Sequence, residues 1–468
     1  MKNLQKYYEP LRNIKGIYIL VFVTYILLAR FVPIINFISQ DVNTIIYSIL
    51  AIIGSLILAA DFFMTFSIFK SRENLILLAF WVICLISSLL NMEYGIINNI
   101  KTLVWMAIQF FLLFSFVNVK DESEINLTLK RTLNFSAAIW LVGVIVSIIQ
   151  FLLQIGYVAP FVDYPRRQGF LQSRLFGIFS DPNPAAVTSV LIVLFCWMQL
   201  KNCNKKATRI YYYINIALQV IYVVLSGSRT AMYGGVMAAA VVGTLSARNR
   251  LIDKQSNKVA IKSILGGVVT VATCIAMIFV VKHTMPLLAE ACSSCYETVG
   301  VSNPDEIKEP EISLEREDIR EDNISNNRFE IWKDYIRISA DRRLFGLSPR
   351  NLALYAEDHY PDSYVVTYEY ETHNGWLAIL ICTGVAGAAV MLAFLVLYLR
   401  EFILYIKAVK GEKCELEVIL LLSALLLLAF SGLLYPELFF ANTHGTLMFW
   451  LFLGYLLYYM KKRIAAKA

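Results

Sequence analysis

Residues 371–398 read ETHNGWLAILICTGVAGAAVMLAFLVLY: a polar tetrapeptide, Glu371-Thr372-His373-Asn374, followed at once by an apolar run. That run, 374–398, is long enough to cross about 30 Å of hydrocarbon as a helix. Upstream, the stretch from Lys282 to Thr372 is polar and follows another apolar run of membrane length, 261–281. A long loop that ends in a titratable His at a bilayer surface points to chemistry at that surface rather than to passage through it.

Working outward, the composition agrees. The 468 residues are 58% hydrophobic and 16% charged, with a mean hydropathy of +0.60. A soluble fold could not hide that much apolar surface, so the bilayer is the expected solvent. About twelve apolar runs are visible: 17–35, 44–63, 75–92, 102–118, 133–155, 184–200, 210–226, 229–246, 261–281, 374–398, 417–435 and 446–460. The expected fold class is an all-α integral membrane protein of about 12 transmembrane helices, with a large external loop between helices 9 and 10. Residues 1–283 would hold membrane helices 1–9, 284–372 the extracytoplasmic loop with an amphipathic helix, and 373–468 helices 10–12. The first run is long and no small-residue cleavage site follows it, so no cleavable signal peptide is expected.

Positive charge sets the orientation. Lys and Arg crowd the N-terminal tail (Lys2, Lys6, Arg12, Lys15), the loops near Lys70, Lys120, Lys201, Arg248 and Arg400, and the C-terminal tail (Lys461, Lys462, Arg463, Lys467). Every second loop is therefore basic, which puts both termini in the cytoplasm and the long loop outside. The net charge of +7 comes from these anchors. It implies membrane lipids as partners and no nucleic acid. Of eight cysteines, Cys84, Cys196, Cys274 and Cys382 fall in spans and Cys203 and Cys414 in cytoplasmic loops, where packing is the simplest reading. Cys292 and Cys295 are external and close together. A local disulfide is one reading of them; zinc would need two more ligands, and none is near.

The external loop has two parts. Residues 297–322 are rich in Asp and Glu and read as a solvated segment. After the cap residues Ser325 and Asn326, Arg328–Arg337 has helical periodicity, with Phe329, Trp332, Ile336 and Ser339 on one face and Tyr335 beside it. Such a helix would lie on the bilayer interface or cap the membrane domain. A second external segment, 156–183, carries Arg166, Arg167 and Arg174, then Gly177 and Asp181-Pro182-Asn183-Pro184. The short loop before the eighth span reads Ser226-Gly227-Ser228-Arg229-Thr230.

Arg166, Arg167, Arg174, Arg229, Arg328 and Arg337 thus gather at the face where basic residues are normally scarce. Ion pairing with the acidic loop or with lipid headgroups is the bland reading. The sharper one is binding of a phosphate or diphosphate at headgroup level, which the guanidinium fork suits. Arg229 is the foremost candidate, because a cation opening an apolar span is costly without a fixed partner. His373 stands at the surface with Asn374 after it, and a pKa near 6.5 would let it act as a base at neutral pH. A packed or solvent-facing imidazole is the plain alternative, and His283, His359 and His444 are read as structural. There is no Gly-rich nucleotide loop, no H-E-x-x-H helix, no Cys/His metal cluster and no acidic pair in an early external loop. Neither a metal nor another cofactor is expected. The driving force would then lie in the substrate, as in a sugar linked to a lipid through diphosphate, with arginines neutralising the leaving group.

These residues resemble a known family. His373-Asn374, nine residues, then Gly384-Val385-Ala386-Gly387 is similar to the H-[NSQ]-x9-G-x-x-G signature of the O-antigen ligases. Arg174-Leu175-Phe176-Gly177 with Asn183-Pro184, Ser228-Arg229 and Arg328 with Ile331-Trp332 resemble, in order, further landmarks of that superfamily. It comprises O-antigen ligases, polysaccharide polymerases and protein O-oligosaccharyltransferases. The resemblance implies an all-helical, type C glycosyltransferase-like fold. It also implies metal-independent transfer of a glycan from undecaprenyl diphosphate to an acceptor hydroxyl on the outer face of the bacterial cytoplasmic membrane. It would make His373, Arg229 and Arg174 catalytic and Arg328 a substrate-orienting residue; Asn374, Arg166 and Arg167 are counted with the substrate-binding set. Asp181 stands where the family often has Asn, and the acid-rich segment has no recognised counterpart. Polymerisation of repeat units for capsule, exopolysaccharide or O-antigen is the leading expectation, because the Ile, Asn, Lys and Tyr usage suits an AT-rich genome and a Gram-positive source would lack lipid A. A ligase with the same donor is the alternative. A flippase for lipid-linked oligosaccharides is more distant, since it calls for charges deep within several spans.

Overall fold

The computed structural model describes residues 2–118, 122–159, 166–256, 258–298, 312–314, 327–436 and 438–467. Each of the twelve apolar runs falls on a helix. The first half begins with α1 (Lys2–Leu28), a short α2 (Val32–Phe37), α3 (Gln40–Thr65), α4 (Arg72–Leu90) and α5 (Ile97–Ile108). Ser39 and Ser71 open α3 and α4, their hydroxyls accepting from the Val42 and Asn74 amides at 3.3 and 3.1 Å. The α5 helix runs on through a π turn, Gln109–Leu113, and a 3-10 turn, Phe114–Asn118. Then come α6 (Glu122–Leu152) and a small antiparallel sheet, β1 (Gly156–Ala159), β2 (Arg166–Leu171) and β3 (Arg174–Gly177), in the order β1-β2-β3. The sheet is an addition to the all-helical expectation, and it carries three of the predicted arginines.

Next are α7 (Pro182–Asn202), α8 (Lys206–Leu225), α9 (Arg229–Asp253) and α10 (Val259–Thr298), the last running well past the expected boundary at 283. The loop then folds into α11 (Arg328–Ser339), α12 (Leu352–His359) and α13 (Tyr364–Thr367). The chain ends in α14 (Gly375–Ala408), α15 (Leu416–Ser431) and α16 (His444–Ala465). Among the described residues, nine helices are long and apolar enough to cross a membrane, namely α3 to α10 and α14. The apolar parts of α1 and α15 are shorter.

Burial separates the helices. Residues Leu447 to Leu457 of α16 are all buried, with Trp450 and Tyr455 fully enclosed, so this helix runs through the middle of the bundle. By contrast, only 6% of the apolar window of α10 is buried, which leaves it facing lipid. At one end of the bundle the C-terminal tail and alternate loops are tied by ion pairs: Lys461 to Glu73 at 2.6 Å, Lys462 to Glu122 at 2.6 Å, Lys413 to Asp253 at 2.5 Å, and Arg463 to Glu412. The arginines singled out above lie at the opposite end.

The second half of the loop is a folded cap. Ile331, Tyr335, Ile338, Leu347, Leu352, Tyr355, Ala356 and Val365 form a core of their own against Ile381 of α14. Ile331, Tyr335 and Ile338 are the buried stripe of α11, while Phe329 and Ile336, on the face with expected helical periodicity, are exposed. The reason lies on the cap side of the helix. The Tyr335 hydroxyl donates to the Tyr370 carbonyl, and Asp334 accepts from the Val365 amide at 3.3 Å, which turns that side inward. The expected caps Ser325 and Asn326 lie outside the described residues; Asn327, with φ 63°, precedes the helix. The acid-rich stretch is outside them too, except for the end of α10 and residues 312–314, of which Ile312 and Leu314 pack on the main core. Cys292 is free, and the side chain of Cys295 lies outside the described residues.

The G-x-x-G motif has a structural role here. At Gly384 the α14 backbone leaves helical geometry (φ 63°, ψ −166°), and the loop 343–348 enters the break. Val385 and Ala386 amides donate to the Arg343 and Leu344 carbonyls at 2.9 and 3.1 Å, and Leu347 and Ser348 amides to the Ile381 and Cys382 carbonyls at 3.0 Å each. Ser87 of α4 and Asn91, which follows that helix, close the junction, donating to the Cys382 carbonyl at 2.8 Å and the Gly346 carbonyl at 3.0 Å. A Cβ at Gly384 would lie 2.4 Å from the Leu344 backbone, so no side chain fits. Non-helical backbone within a membrane span is tolerated only where protein satisfies it, and here the cap does so.

Candidate functional site

The site is assembled from chain segments distant in sequence. α7 begins at Pro182, with Asp181 as its cap: Asp181 Oδ1 accepts from the Asn183 amide at 2.8 Å. The end of α1 is stitched to the same place. The Ser180 amide donates to the Arg30 carbonyl at 2.9 Å, and the Val32 amide to the Ile178 carbonyl at 2.9 Å. Burial pushes the Asp181 carboxyl above its ordinary range, against the pull of the Asn183 amide, Arg174 and Arg30.

Arg174 opens the fully buried strand β3. Its Nε donates to the Ser226 carbonyl at 3.0 Å, and an Nη donates to Asn183 Oδ1 at 3.0 Å. Arg167 and Arg174 both lie over the ring of Phe176, at 5.9 and 5.6 Å from its centroid. Arg166 is half-buried at the start of β2, paired in register with Ala159. The Ser226 carbonyl that Arg174 holds lies just before Arg229, the first residue of α9. Arg229 is half-buried and has neither a hydrogen bond nor an ion pair among the described residues.

His373 takes a left-handed conformation, φ 44°, immediately before the cap of α14. Asn374 is that cap; its Oδ1 accepts from the Trp376 and Leu377 amides at 3.0 and 2.9 Å. The Gly375 amide donates to the Gly432 and Tyr435 carbonyls at 2.7 and 2.9 Å, which docks the α15–α16 loop beside the helix start. The His373 ring lies between two tyrosines in edge-on geometry, Tyr370 at 6.0 Å and Tyr435 at 6.4 Å between centroids. Tyr435 in turn donates its hydroxyl to Asp181. Burial holds the imidazole below its usual pKa, and the nearby Arg328 cation, at the first turn of α11, lowers it further.

One connected set therefore runs from Arg174 through Asp181 and Tyr435 to His373, with Arg328 acting on the imidazole and Arg229 next to the loop that Arg174 binds. The side-chain oxygen of Asn374 is committed to the backbone. Residues 214–392 match the O-antigen ligase family (Wzy_C), a segment from α8 into α14 that contains Arg229, Arg328, His373, Gly384 and Gly387. The matched segment is less than half of the chain, and over that length the chain is similar to the O-antigen ligases. The match lies within a chain in which nine helices, among the described residues, are long and apolar enough to cross a membrane. No curated protein matches it.

Three residues of the ligase-like site escape a reading by sequence pattern. Arg30 sits inside the apolar run 17–35, and a charge within a run is its only signal. Tyr435 is the last residue of the run 417–435, with Pro436 after it as a mark of a turn. His444, read as structural, lines a small cavity with Arg30, Trp140, Asp181 and Thr188, its Nδ1 3.3 Å from the Thr188 hydroxyl.

Proposed function

We propose that the enzyme transfers a glycan from undecaprenyl diphosphate to an acceptor hydroxyl at the outer face of the cytoplasmic membrane, most simply by polymerising repeat units. One observation carries the reading: His373, held neutral by burial and by Arg328, stands one tyrosine away from the carboxylate that Arg174 flanks. The acceptor oxygen forms a bond to the anomeric carbon, whose bond to the phosphate oxygen breaks. The hydroxyl proton passes to His373, and the electron pair leaves with the lipid diphosphate. Arg174 and Arg229 bind the diphosphate and Arg328 orients the sugar, so the guanidinium charge at the leaving group removes the need for a metal. The paired basic end of the bundle, with both tails, is the cytoplasmic face in this reading.

A ligase is the second reading, favoured by the description of the matching family. A flippase is disfavoured, because the buried pair Lys15–Asp61, at 2.6 Å, lies near the far end of α3 rather than along a path through the bilayer. The test uses purified full-length protein with an undecaprenyl-diphosphate repeat unit as sole substrate. A ladder of longer lipid-linked products supports polymerisation. Product formed only when a second acceptor is added converts the assignment to ligase, and no transfer with any acceptor overturns both.

A further inference from the structure

The cap presents a group of aromatic rings that transfer at His373 does not by itself require. Tyr364 and Tyr368 lie 4.7 Å apart, Tyr364 and Tyr370 stack at 5.7 Å with 26° between planes, and Tyr368 and Tyr370 are 6.0 Å apart. Tyr370 then meets the His373 ring at 6.0 Å, so the rings form a continuous path from the cap surface to the imidazole. Tyr368 is 58% exposed, and Tyr364 and Tyr370 are half-exposed. The backbone beneath them is fixed: Val365 is buried in the cap core, the Tyr370 amide donates to the Val365 carbonyl at 3.0 Å, and Tyr335 donates to the Tyr370 carbonyl.

Rigid tyrosines offer a flat apolar face and a hydroxyl at little entropic cost. A pyranose has a matching surface, an apolar C–H face rimmed by hydroxyls. Glu369 and Glu371 flank Tyr370 and are exposed, supplying acceptors for sugar hydroxyls and disfavouring anionic lipid headgroups. Arg174 is linked to His373 by a different route, through Asp181 and Tyr435.

We infer that Tyr364, Tyr368 and Tyr370 form a glycan-binding platform that delivers acceptor sugars to His373 by ring stacking. The inference rests on the glycosyl-transfer reading for its role, but sugar binding can be measured apart from turnover. The probe is oligosaccharide of defined length released by mild acid from the lipid-linked glycan of cells that make the protein. Full-length protein in nanodiscs is irradiated at tyrosine ring frequencies, and saturation transfer to sugar C–H protons is recorded. Transfer to those protons is expected, reduced in Tyr368→Ala and lost in Tyr364→Ala/Tyr368→Ala. With lipid-linked donor present, the double variant raises KM for the oligosaccharide about tenfold with a much smaller change in kcat, while Tyr368→Phe stays near wild type. If the double variant does not fold, Tyr368→Ala alone, at a largely exposed position, carries the test with an effect of about threefold. Saturation transfer without turnover in the wild type would sink the proposed function and leave the platform standing. Unchanged KM and unchanged saturation transfer in a folded alanine variant overturn the platform, as does an effect confined to vesicle association, which would make the tyrosines a membrane anchor.

Discussion

The two ends of α9 treat an arginine in opposite ways. Near its last turns, Arg248 donates to the Glu412 and Val409 carbonyls at 2.8 and 2.9 Å, and the negative end of the helix dipole favours its charge. At the first residue, Arg229 adds a cation to the positive end of the same dipole and has no hydrogen bond or ion pair among the described residues. Both the half-buried guanidinium and the helix start would be relieved by an anion. One end is thus satisfied within the protein, and the other is where the proposed function places the diphosphate.

That contrast can be broken by measurement. Arg229→Ala is expected to lower kcat/KM by at least about 100-fold while the protein inserts and melts as the wild type does, and Arg229→Lys should recover only part of the loss. Retained turnover in the alanine variant would mean that the start of α9 holds no substrate charge. His373→Ala should remove most turnover as well; a variant with full activity would leave charge stabilisation as the main contribution. Gly384→Ala, which forces a Cβ into the Leu344 backbone, should destabilise the protein by about 3 kcal/mol and release the cap to proteases.

The pH profile sharpens the comparison further. In the proposed mechanism the neutral imidazole of His373 is the active form, and its pKa is depressed, so the acidic loss of activity is expected below about pH 6.5. Arg328→Gln removes the neighbouring cation, so the acidic limb should move to higher pH; a limb that stays put would separate the two residues. The smallest effect belongs to the built end. Arg248→Ala should lower the melting temperature by about 3 °C and leave KM for the lipid-linked donor unchanged.

What could be read from sequence follows from where a cost is visible locally. Arg229 stood out because a cation that opens an apolar run is expensive whatever surrounds it. The helices were legible because apolar length is a local signal, although the run 17–35 divides between α1 and α2 and those of α1 and α15 are short. Arg30 did not stand out, since its justification is Asp181, some hundred and fifty positions away in the chain. Tyr435 is likewise explained only by Asp181 and His373, from two other segments. Which side of α11 packs on the cap is hidden for a related reason. Both of its sides carry apolar residues, and the choice is made by Tyr335 and Asp334 bonding to residues 365 and 370. The side-chain oxygen of Asn374 caps α14, a use that no local pattern in the sequence announces.

The threading of residues 343–348 through the break in α14 also constrains how the chain is made. The amides of Val385 and Ala386 have their acceptors only in the cap, and the cap precedes them during synthesis. Until that loop arrives, the upper part of α14 has backbone groups with nothing to bind in hydrocarbon. Insertion of this helix and folding of the cap are therefore coupled in biogenesis, so a lesion in the cap core is expected to lower the yield of inserted protein as well as its activity.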